Sequence, residues 1–342
     1  MDRKKYTGIA VTLAWPKTYC RQAGGWYDGI LKFLGICHHH YYRVGHSALL
    51  LIDKSGGKCH YYDFGRYQAP CGFGRVRSEE TDPGLRVKTP PRFSEDGLTI
   101  ANLSDILKEL QMNVECHGEG PGFAAECPVN FQKARAKGMQ MQRQSPIPYG
   151  PFVRNGTNCS RFVNAVVKAG NPPLSNLLRL KYFIWFTPTP MNNIHALNNK
   201  IRLPHLRGDR LFCPKPLKDK SFLQFTLPEP DRPDHIPAHA QWLSGEGAGS
   251  WYALDQLGEN RFQLRRFGPG GEPEGKALME CSGEKAPDIG CPYQIIHLSN
   301  CRQVRVFQNG DRYTLRSIEK PETFSLEDHS NPKKSKITAD AG

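Results

Sequence analysis

The chain has 342 residues, of which 38% are hydrophobic and 23% charged, and this composition predicts a folded protein with room for two domains. No run approaches the roughly 18 apolar residues of a membrane-spanning helix, and residues 1–6 lead into no apolar segment of signal length, so we expect a soluble, cytoplasmic protein. The formal net charge of +13 is scattered along the chain without a nucleic-acid-binding module. It therefore suits an anionic lipid or an acidic partner better than nucleic acid.

Strand patterns alternate with helix patterns in the first half of the chain. The strongest signal is a hairpin whose strands cover residues 46–52 and 58–64, with its turn within residues 53–57. The other predicted elements are a strand at 8–14, helices at 25–36, 100–112 and 130–144, and, at 65–98, a long excursion with short strands that is rich in Gly, Pro, Arg and charge.

The character of the chain changes after about residue 190. Residues 202–239 repeat Pro, Lys and Asp and are typical of a connector, and from residue 240 short strands with Gly-rich turns predict a small antiparallel β domain. We therefore predict a first domain at 1–195, a connector at 196–239, a β-rich domain at 240–322 and a polar flexible tail at 323–342.

The cysteines and histidines do not predict a metal site. Eleven cysteines, without a Cys-x-x-Cys pair, favour reduced thiols over a disulfide framework. Cys37 is followed by three histidines, but this spacing matches no closed zinc site, and consecutive histidines on a loop cannot all face one ion. The sequence predicts neither a metal nor a cofactor.

The segment 156–170 carries the clearest chemical signal. Thr157 and Asn158 are good N-cap residues, apolar residues follow at helical spacing, and Gly170 precedes two prolines, so a short helix should begin near Cys159. Unpaired backbone N–H groups and the helix dipole favour a thiolate there, and we expect a lowered pKa for Cys159. The alternative is that Cys159 is an ordinary small apolar residue.

A histidine suited to this cysteine stands at the entrance of the hairpin, since His46 opens the first strand directly after Gly45. An imidazole that faces a thiol at a helix start can accept the thiol proton and later return it to the leaving group. A turn of two or four residues would place Asp63 on the face of His46, whereas an odd-length turn would place His60 there. Asp63 is the first candidate for the orienting group and His60 the second, and a purely structural role stays open for both.

The residues around the cysteine and the histidine resemble a known superfamily. Residues 158–163, Asn-Cys-Ser-Arg-Phe-Val, resemble the nucleophile motif of papain-like thiol enzymes, which include bacterial cell-wall endopeptidases and lecithin retinol acyltransferase. Residues 45–48, Gly-His-Ser-Ala, precede the cysteine, an order similar to that of the circularly permuted branch with the acyltransferases. The whole chain also resembles an uncharacterised bacterial family of similar length, which adds no chemistry.

The resemblance implies an α+β fold in which a circularly permuted papain-like antiparallel sheet packs on a cysteine-bearing helix, and here a second, small β-rich domain would follow. It implies a third polar residue on the strand after the histidine strand, without choosing between His60 and Asp63. It also implies an acyl-enzyme, whose oxyanion needs donors. The backbone N–H of Cys159 is the natural donor, and the Tyr149 phenol or the Asn158 amide could supply another.

We therefore predict a cysteine-dependent hydrolase, an amidase, peptidase or esterase, that acts on a peptide, amide or acyl-ester substrate. One alternative is a lipid or amide acyltransferase with the same mechanism. The other is a non-catalytic binding protein on a papain-like scaffold, with the β-rich domain as its recognition module. The presence of both Cys159 and His46 favours an enzyme, because a module without catalysis has no chemical need for either.

Overall fold

The computed structural model describes residues 5–22, 27–35, 37–116, 118, 120–184, 187–197, 201–202, 226–283 and 285–325. Most of the predicted connector at 196–239, nearly all of the tail at 323–342 and the start of the helix predicted at 25–36 lie outside the described residues. In the described part, no helix is both long and apolar enough to cross a bilayer.

The N-terminal half consists of an antiparallel sheet with helices on both faces. Its strands are β1 (Gly8–Trp15), β2 (Cys20–Arg21), β3 (Cys37–His38), β4 (Tyr41–Tyr42), β5 (His46–Asp53), β6 (Lys58–Gly65), β7 (Phe73–Ser78), β8 (Phe123–Val129), β9 (Ile147–Pro148) and β10 (Ile201–Arg202). Its helices are α1 (Asp28–Phe33), α2 (Leu103–Met112), α3 (Phe131–Gln144), α4 (Cys159–Ala169), α5 (Leu174–Tyr182) and α6 (Pro190–Leu197). The main sheet has the order β10-β8-β1-β5-β6-β7-β9, with antiparallel pairing throughout. The short strands β2, β4 and β3 form a separate antiparallel sheet in that order.

The central strands of this sheet are buried on both faces. On one face, Leu49, Leu51 and Tyr62 share a core with α3, α4 and α6. On the other face, Leu50 and Ile52 share a core with α2. Two-sided burial explains why β5 is a continuous apolar run. Because packed interiors are dense, α4 is held firmly against β5 and β6.

The turn between β5 and β6 sets which side chains share a face. Asp53 pairs with Lys58, so four residues form the turn, as one of the two even-length alternatives predicts. Gly57 at φ +56° adopts a left-handed conformation that favours glycine. Ala48 then pairs with Asp63, and because side chains alternate along a strand, Asp63 lies on the face of His46.

The C-terminal half forms a second antiparallel sheet, which confirms the α+β class with an additional β-rich part. Its strands are β11 (Gln241–Ser244), β12 (Gly249–Gln256), β13 (Arg261–Phe267), β14 (Pro273–Cys281), β15 (Gln294–Ile296), β16 (Gln303–Gln308) and β17 (Asp311–Ser317), in the order β11-β12-β13-β14-β17-β16-β15. The sequence did not single out β11, β14 or β17 as strands. The exact domain boundaries stay predictions.

The two sheets meet through buried polar contacts. The backbone N–H of Gly247 donates to the carbonyl oxygen of Arg66 at 2.9 Å. The carboxylate of Asp82 accepts hydrogen bonds from Arg75 of β7 at 2.7 and 2.8 Å and lies 2.9 Å from Arg266 of β13. All three charged side chains are almost fully buried. Since a buried carboxylate is costly unless it is paired, Asp82 ties the C-terminal sheet to the N-terminal one.

Candidate active site

Cys159 is the first residue of α4, where the sequence predicts a helix to begin. The Oδ1 atom of Asn158 accepts the backbone N–H of Arg161 at 2.8 Å and caps this helix. The apolar face of α4 lies in the same core as β5 and β6, so the helix start is fixed beside the entrance of β5. The prediction of a capped helix that begins at Cys159 is confirmed.

The Cys159 thiol is buried, with 7% of the residue exposed. Burial raises its pKa to about 12, the neighbouring Cys20 adds to the rise, and the backbone N–H of Ser47 and contacts with Ser160 oppose it. The expectation of a lowered pKa is therefore wrong for the free protein, because burial destabilises the thiolate by more than the helix start stabilises it. The contact with Ser47 places the sulfur next to the residue that follows His46.

His46 enters β5 from a turn that requires glycine. Gly45 has a φ of +76°, and a Cβ there would lie 2.8 Å from the carbonyl oxygen of Trp15. The His46 ring stacks on Trp15 with a centroid distance of 6.0 Å. Burial lowers the pKa of His46 to about 4, although Asp63 raises it, and Arg77 lowers it further. The imidazole is therefore neutral at pH 7 and able to accept a proton.

Asp63 is fully buried and faces His46, with its Oδ2 atom 3.9 Å from Nε2 of the ring. Arg77 donates to both carboxylate oxygens, from Nε at 3.0 Å and from Nη2 at 2.6 Å. The hydroxyls of Tyr61 and Tyr67 each donate to Oδ2 at 3.3 Å. Three side chains thus fix the carboxylate beside the imidazole. The separation of 3.9 Å exceeds a direct hydrogen bond, so small adjustments on substrate binding would close it.

Sequence reasoning missed Arg77, Tyr61 and Tyr67 as supports of Asp63. Arg77 lies on β7, in the stretch interpreted as a long excursion with short strands, and only strand pairing brings it directly opposite Asp63. The signal available in the sequence was the alternation of Arg75 and Arg77 in residues 73–78, which is unusual for a strand buried on both sides.

The structure corrects the second candidate for the orienting group. His60 differs from Asp63 by an odd number of positions and therefore lies on the other face of β6. Its Nδ1 atom is 3.3 Å from Oε1 of Glu79, and its ring lies 5.6 Å from that of Phe131. The fold brings Asp63 to His46 and takes His60 away from it.

A cleft of about 870 Å³ opens beside His46. Tyr149 lines it, and so do three residues that the sequence did not single out, Cys20, Arg66 and Glu246. The buried Cys159 is not among the lining residues, so the thiol is covered in this conformation.

Arg66 contacts two other residues that line the cleft, Tyr149 and Glu246. Its guanidinium lies 5.0 Å from the centroid of the Tyr149 ring and pairs with Oε1 of Glu246 at 3.3 Å. The Tyr149 hydroxyl is 3.6 Å from the sulfur of Cys20. Burial raises the pKa of Tyr149 well above its usual value, so the phenol keeps its proton at pH 7, as an oxyanion donor must. Glu246 belongs to the C-terminal half, which therefore contributes directly to this site.

The Asn158 side chain acts as the N-cap of α4. Its Oδ1 atom caps α4, which leaves Nδ2 as the end of the amide that can donate to an oxyanion. A role for Asn158 in oxyanion binding stays a prediction, as does that of the Cys159 backbone N–H.

The ten cysteines in the described part of the chain are free thiols. Across the same residues, no group of three or more His, Cys, Asp or Glu side chains is arranged to hold a metal ion.

The lowered pKa of His46 predicts a specific dependence of stability on pH. The folded protein binds this proton only near pH 4, whereas the unfolded chain binds it near pH 6.5, so folding becomes less favourable as pH falls between these values. At about 1.4 kcal/mol per pKa unit, we expect a loss of about 3 kcal/mol by pH 4. In His46→Gln this contribution should vanish.

Urea unfolding of both proteins from pH 7 to pH 4 measures the effect. Glu115, whose pKa burial raises to about 7, acts in the opposite direction in both proteins, so the difference between them isolates His46. Equal pH dependence in the two proteins would contradict the prediction.

Comparisons with known proteins divide the chain into two matched parts. Residues 10–172 match the family model described as "Type VI secretion system effector TseH-like", and residues 240–318 match that of the "DUF6695 C-terminal domain". The crystal structure of the type VI secretion system effector TseH is similar with 18% identity and a TM-score of 0.37, over 56% of this chain and 87% of that chain. No curated protein gives a significant match. The segment that carries His46, Asp63 and Cys159 is thus similar to a family of type VI secretion effectors.

Proposed function

We propose that this protein is a cysteine-dependent hydrolase that cleaves an amide bond through a thioester acyl-enzyme. In this proposal Cys159 is the nucleophile, His46 the general base and acid, and Asp63 the orienting group. The observation that carries it is the placement of two groups around the neutral buried imidazole of His46: a carboxylate held by an arginine faces the ring, and a thiol at a helix start contacts the backbone of the next residue, Ser47.

The first chemical step joins proton transfer to attack on the substrate. The Cys159 sulfur forms a bond to the carbonyl carbon while His46 takes the thiol proton, and the carbonyl π electrons move onto oxygen. Since the thiol has a pKa of about 12 and the imidazole one of about 4, the free protein holds both groups neutral. Transfer of the proton therefore accompanies attack. The Tyr149 phenol and the Cys159 N–H are the candidate donors to the oxyanion.

The later steps return the proton and release the acyl group. The imidazolium protonates the leaving amine as the C–N bond breaks, which leaves a thioester on Cys159. Water then attacks the thioester while His46 accepts its proton, and the thiolate leaves and is reprotonated. Asp63 stabilises the imidazolium in both halves of the reaction, and the bidentate bond from Arg77 keeps the carboxylate in place.

The substrate class follows from the resemblance and the family match together. The nucleophile motif resembles that of cell-wall endopeptidases, and residues 10–172 match type VI secretion effectors. The resemblance favours a peptide of the bacterial cell wall as the substrate. The match to secretion effectors favours action outside the cell that makes the protein over the cytoplasmic location expected from the sequence.

The test is digestion of purified peptidoglycan and of defined muropeptides in H₂¹⁸O, with mass spectrometry of the products. Hydrolysis should yield a new amine and a new carboxyl group that carries one ¹⁸O atom. A product joined to an added amine in place of ¹⁸O would indicate acyl transfer. If the protein binds peptidoglycan but cleaves no bond in any preparation, the non-catalytic alternative replaces the proposal.

A further inference from the structure

A second cleft lies between the two halves of the chain and shares no lining residue with the catalytic cleft. It has a volume of about 370 Å³ and lies between the last turn of α3 and strands β16 and β17. A neighbouring groove of about 440 Å³ shares Glu80, Arg302, Gln303 and Arg316 with it, so the two form one continuous surface. We call this surface the interdomain groove.

Because side chains alternate between the two faces of a strand, arginines of the C-terminal sheet face the interdomain groove. Val304 and Val306 point into the core of the C-terminal sheet, so Arg305 lies on its outer face. Arg316 pairs with Gln303 on the neighbouring strand and shares that face. Arg143 reaches the same cleft from the last turn of α3.

The charges in the groove do not balance. Its lining holds eight cationic side chains, Lys58, Arg75, Arg135, Arg143, Arg302, Arg305, Arg316 and Lys320, against three carboxylates, Glu79, Glu80 and Glu319. Asp82 neutralises Arg75, and Glu80 pairs with both Arg135 and Arg302.

The other three arginines of the interdomain groove are not part of these ion pairs. In the part of the chain that the structure describes, no acidic side chain forms an ion pair with Arg143, Arg305 or Arg316. Positive charge collected in a concave site concentrates the potential for an anion. Asn300, which is buried, adds a donor: its Oδ1 accepts the backbone N–H groups of Arg302 and Gln303, which leaves Nδ2 to donate.

We propose that the interdomain groove binds a linear anion that carries several phosphate groups in series. The planar fork of a guanidinium matches phosphate with two parallel hydrogen bonds, and arginines predominate here. Arg143, Arg305 and Arg316 lie on three different elements, α3, β16 and β17, and this spread of cationic groups suits a ligand with more than one phosphate. Because the ligand would touch both halves of the chain, its binding also stabilises their contact. This site is independent of the proposed hydrolase activity.

The test is titration of the full chain with fluorescently labelled linear polyphosphate, followed by competition with unlabelled tripolyphosphate, a single-stranded oligonucleotide and polyglutamate. The double variant Arg305→Gln/Arg316→Gln should weaken binding at least ~10-fold and reduce the slope of log affinity against log salt by about 2. The control is Arg312→Gln, which removes an exposed arginine of β17 that lines neither groove and should bind as wild type does.

The competitors separate the sources of the phosphate. Displacement by the oligonucleotide as well as by tripolyphosphate would mean that a phosphodiester backbone is accepted, and displacement by tripolyphosphate alone would restrict the site to oligophosphates. The proposal is overturned if wild type does not bind the probe, if the double variant binds as tightly as Arg312→Gln, or if polyglutamate competes better than tripolyphosphate.

Discussion

Replacing Cys159 with alanine is expected to lower the rate of amide cleavage by at least ~10⁴-fold. The acyl-enzyme cannot form without the sulfur, and a neutral imidazole alone provides little catalysis. Because only one buried atom is lost, the free energy of unfolding should change by about 1 kcal/mol. Initial rates on the muropeptide that wild type cleaves, together with urea unfolding of the same preparation, measure both effects.

Two other cysteines provide the controls for this prediction. Cys291→Ser removes an exposed thiol from the C-terminal half and should keep the wild-type rate. Cys20 lines the catalytic cleft, and its sulfur lies 3.8 Å from Nη2 of Arg66. If Cys20→Ala abolished cleavage while Cys159→Ala kept it, the nucleophile would be Cys20 and the proposed mechanism would be wrong.

Local patterns were sufficient to predict the helix and the hairpin of the candidate site. The cap at Asn158, the apolar spacing after it and the stop at Gly170 all lie within the segment that forms α4. The hairpin strands were also evident from sequence, but both even and odd turn lengths stayed open, and only the even lengths place Asp63 with His46, as the structure does. Signals that are complete within about fifteen residues can be evaluated from sequence alone.

The remainder of the site depends on contacts between distant segments. Arg77 reaches Asp63 only through the pairing of β6 with β7, and Glu246 reaches Arg66 only because the two sheets pack together. Burial is also a property of the whole fold. The sequence indicated the helix start that favours a thiolate at Cys159, but not the packing that raises the pKa of this thiol.

Replacing Arg77 with methionine is expected to lower the free energy of unfolding by about 3–5 kcal/mol and to reduce the cleavage rate. The change removes the cation that pairs with the fully buried carboxylate of Asp63 and leaves the weaker hydrogen bonds from the Tyr61 and Tyr67 hydroxyls in place. The change further removes a guanidinium that lies 3.7 Å from the centroid of the Tyr67 ring. Arg77→Lys should have an intermediate effect, since an ammonium keeps the charge but cannot bind both carboxylate oxygens in the same way.

The double variant Arg77→Met/Asp63→Leu separates the structural role of this ion pair from its catalytic role. Removal of both charges eliminates the unpaired carboxylate, so stability should return to within about 2 kcal/mol of wild type. The cleavage rate should stay low, because no carboxylate remains to orient His46 or to stabilise the imidazolium. Urea unfolding and initial rates on one substrate give the two readouts. A double variant that regained the wild-type rate would exclude Asp63 from the mechanism, whereas an Arg77→Met protein as stable as wild type would mean that the buried carboxylate does not need its arginine.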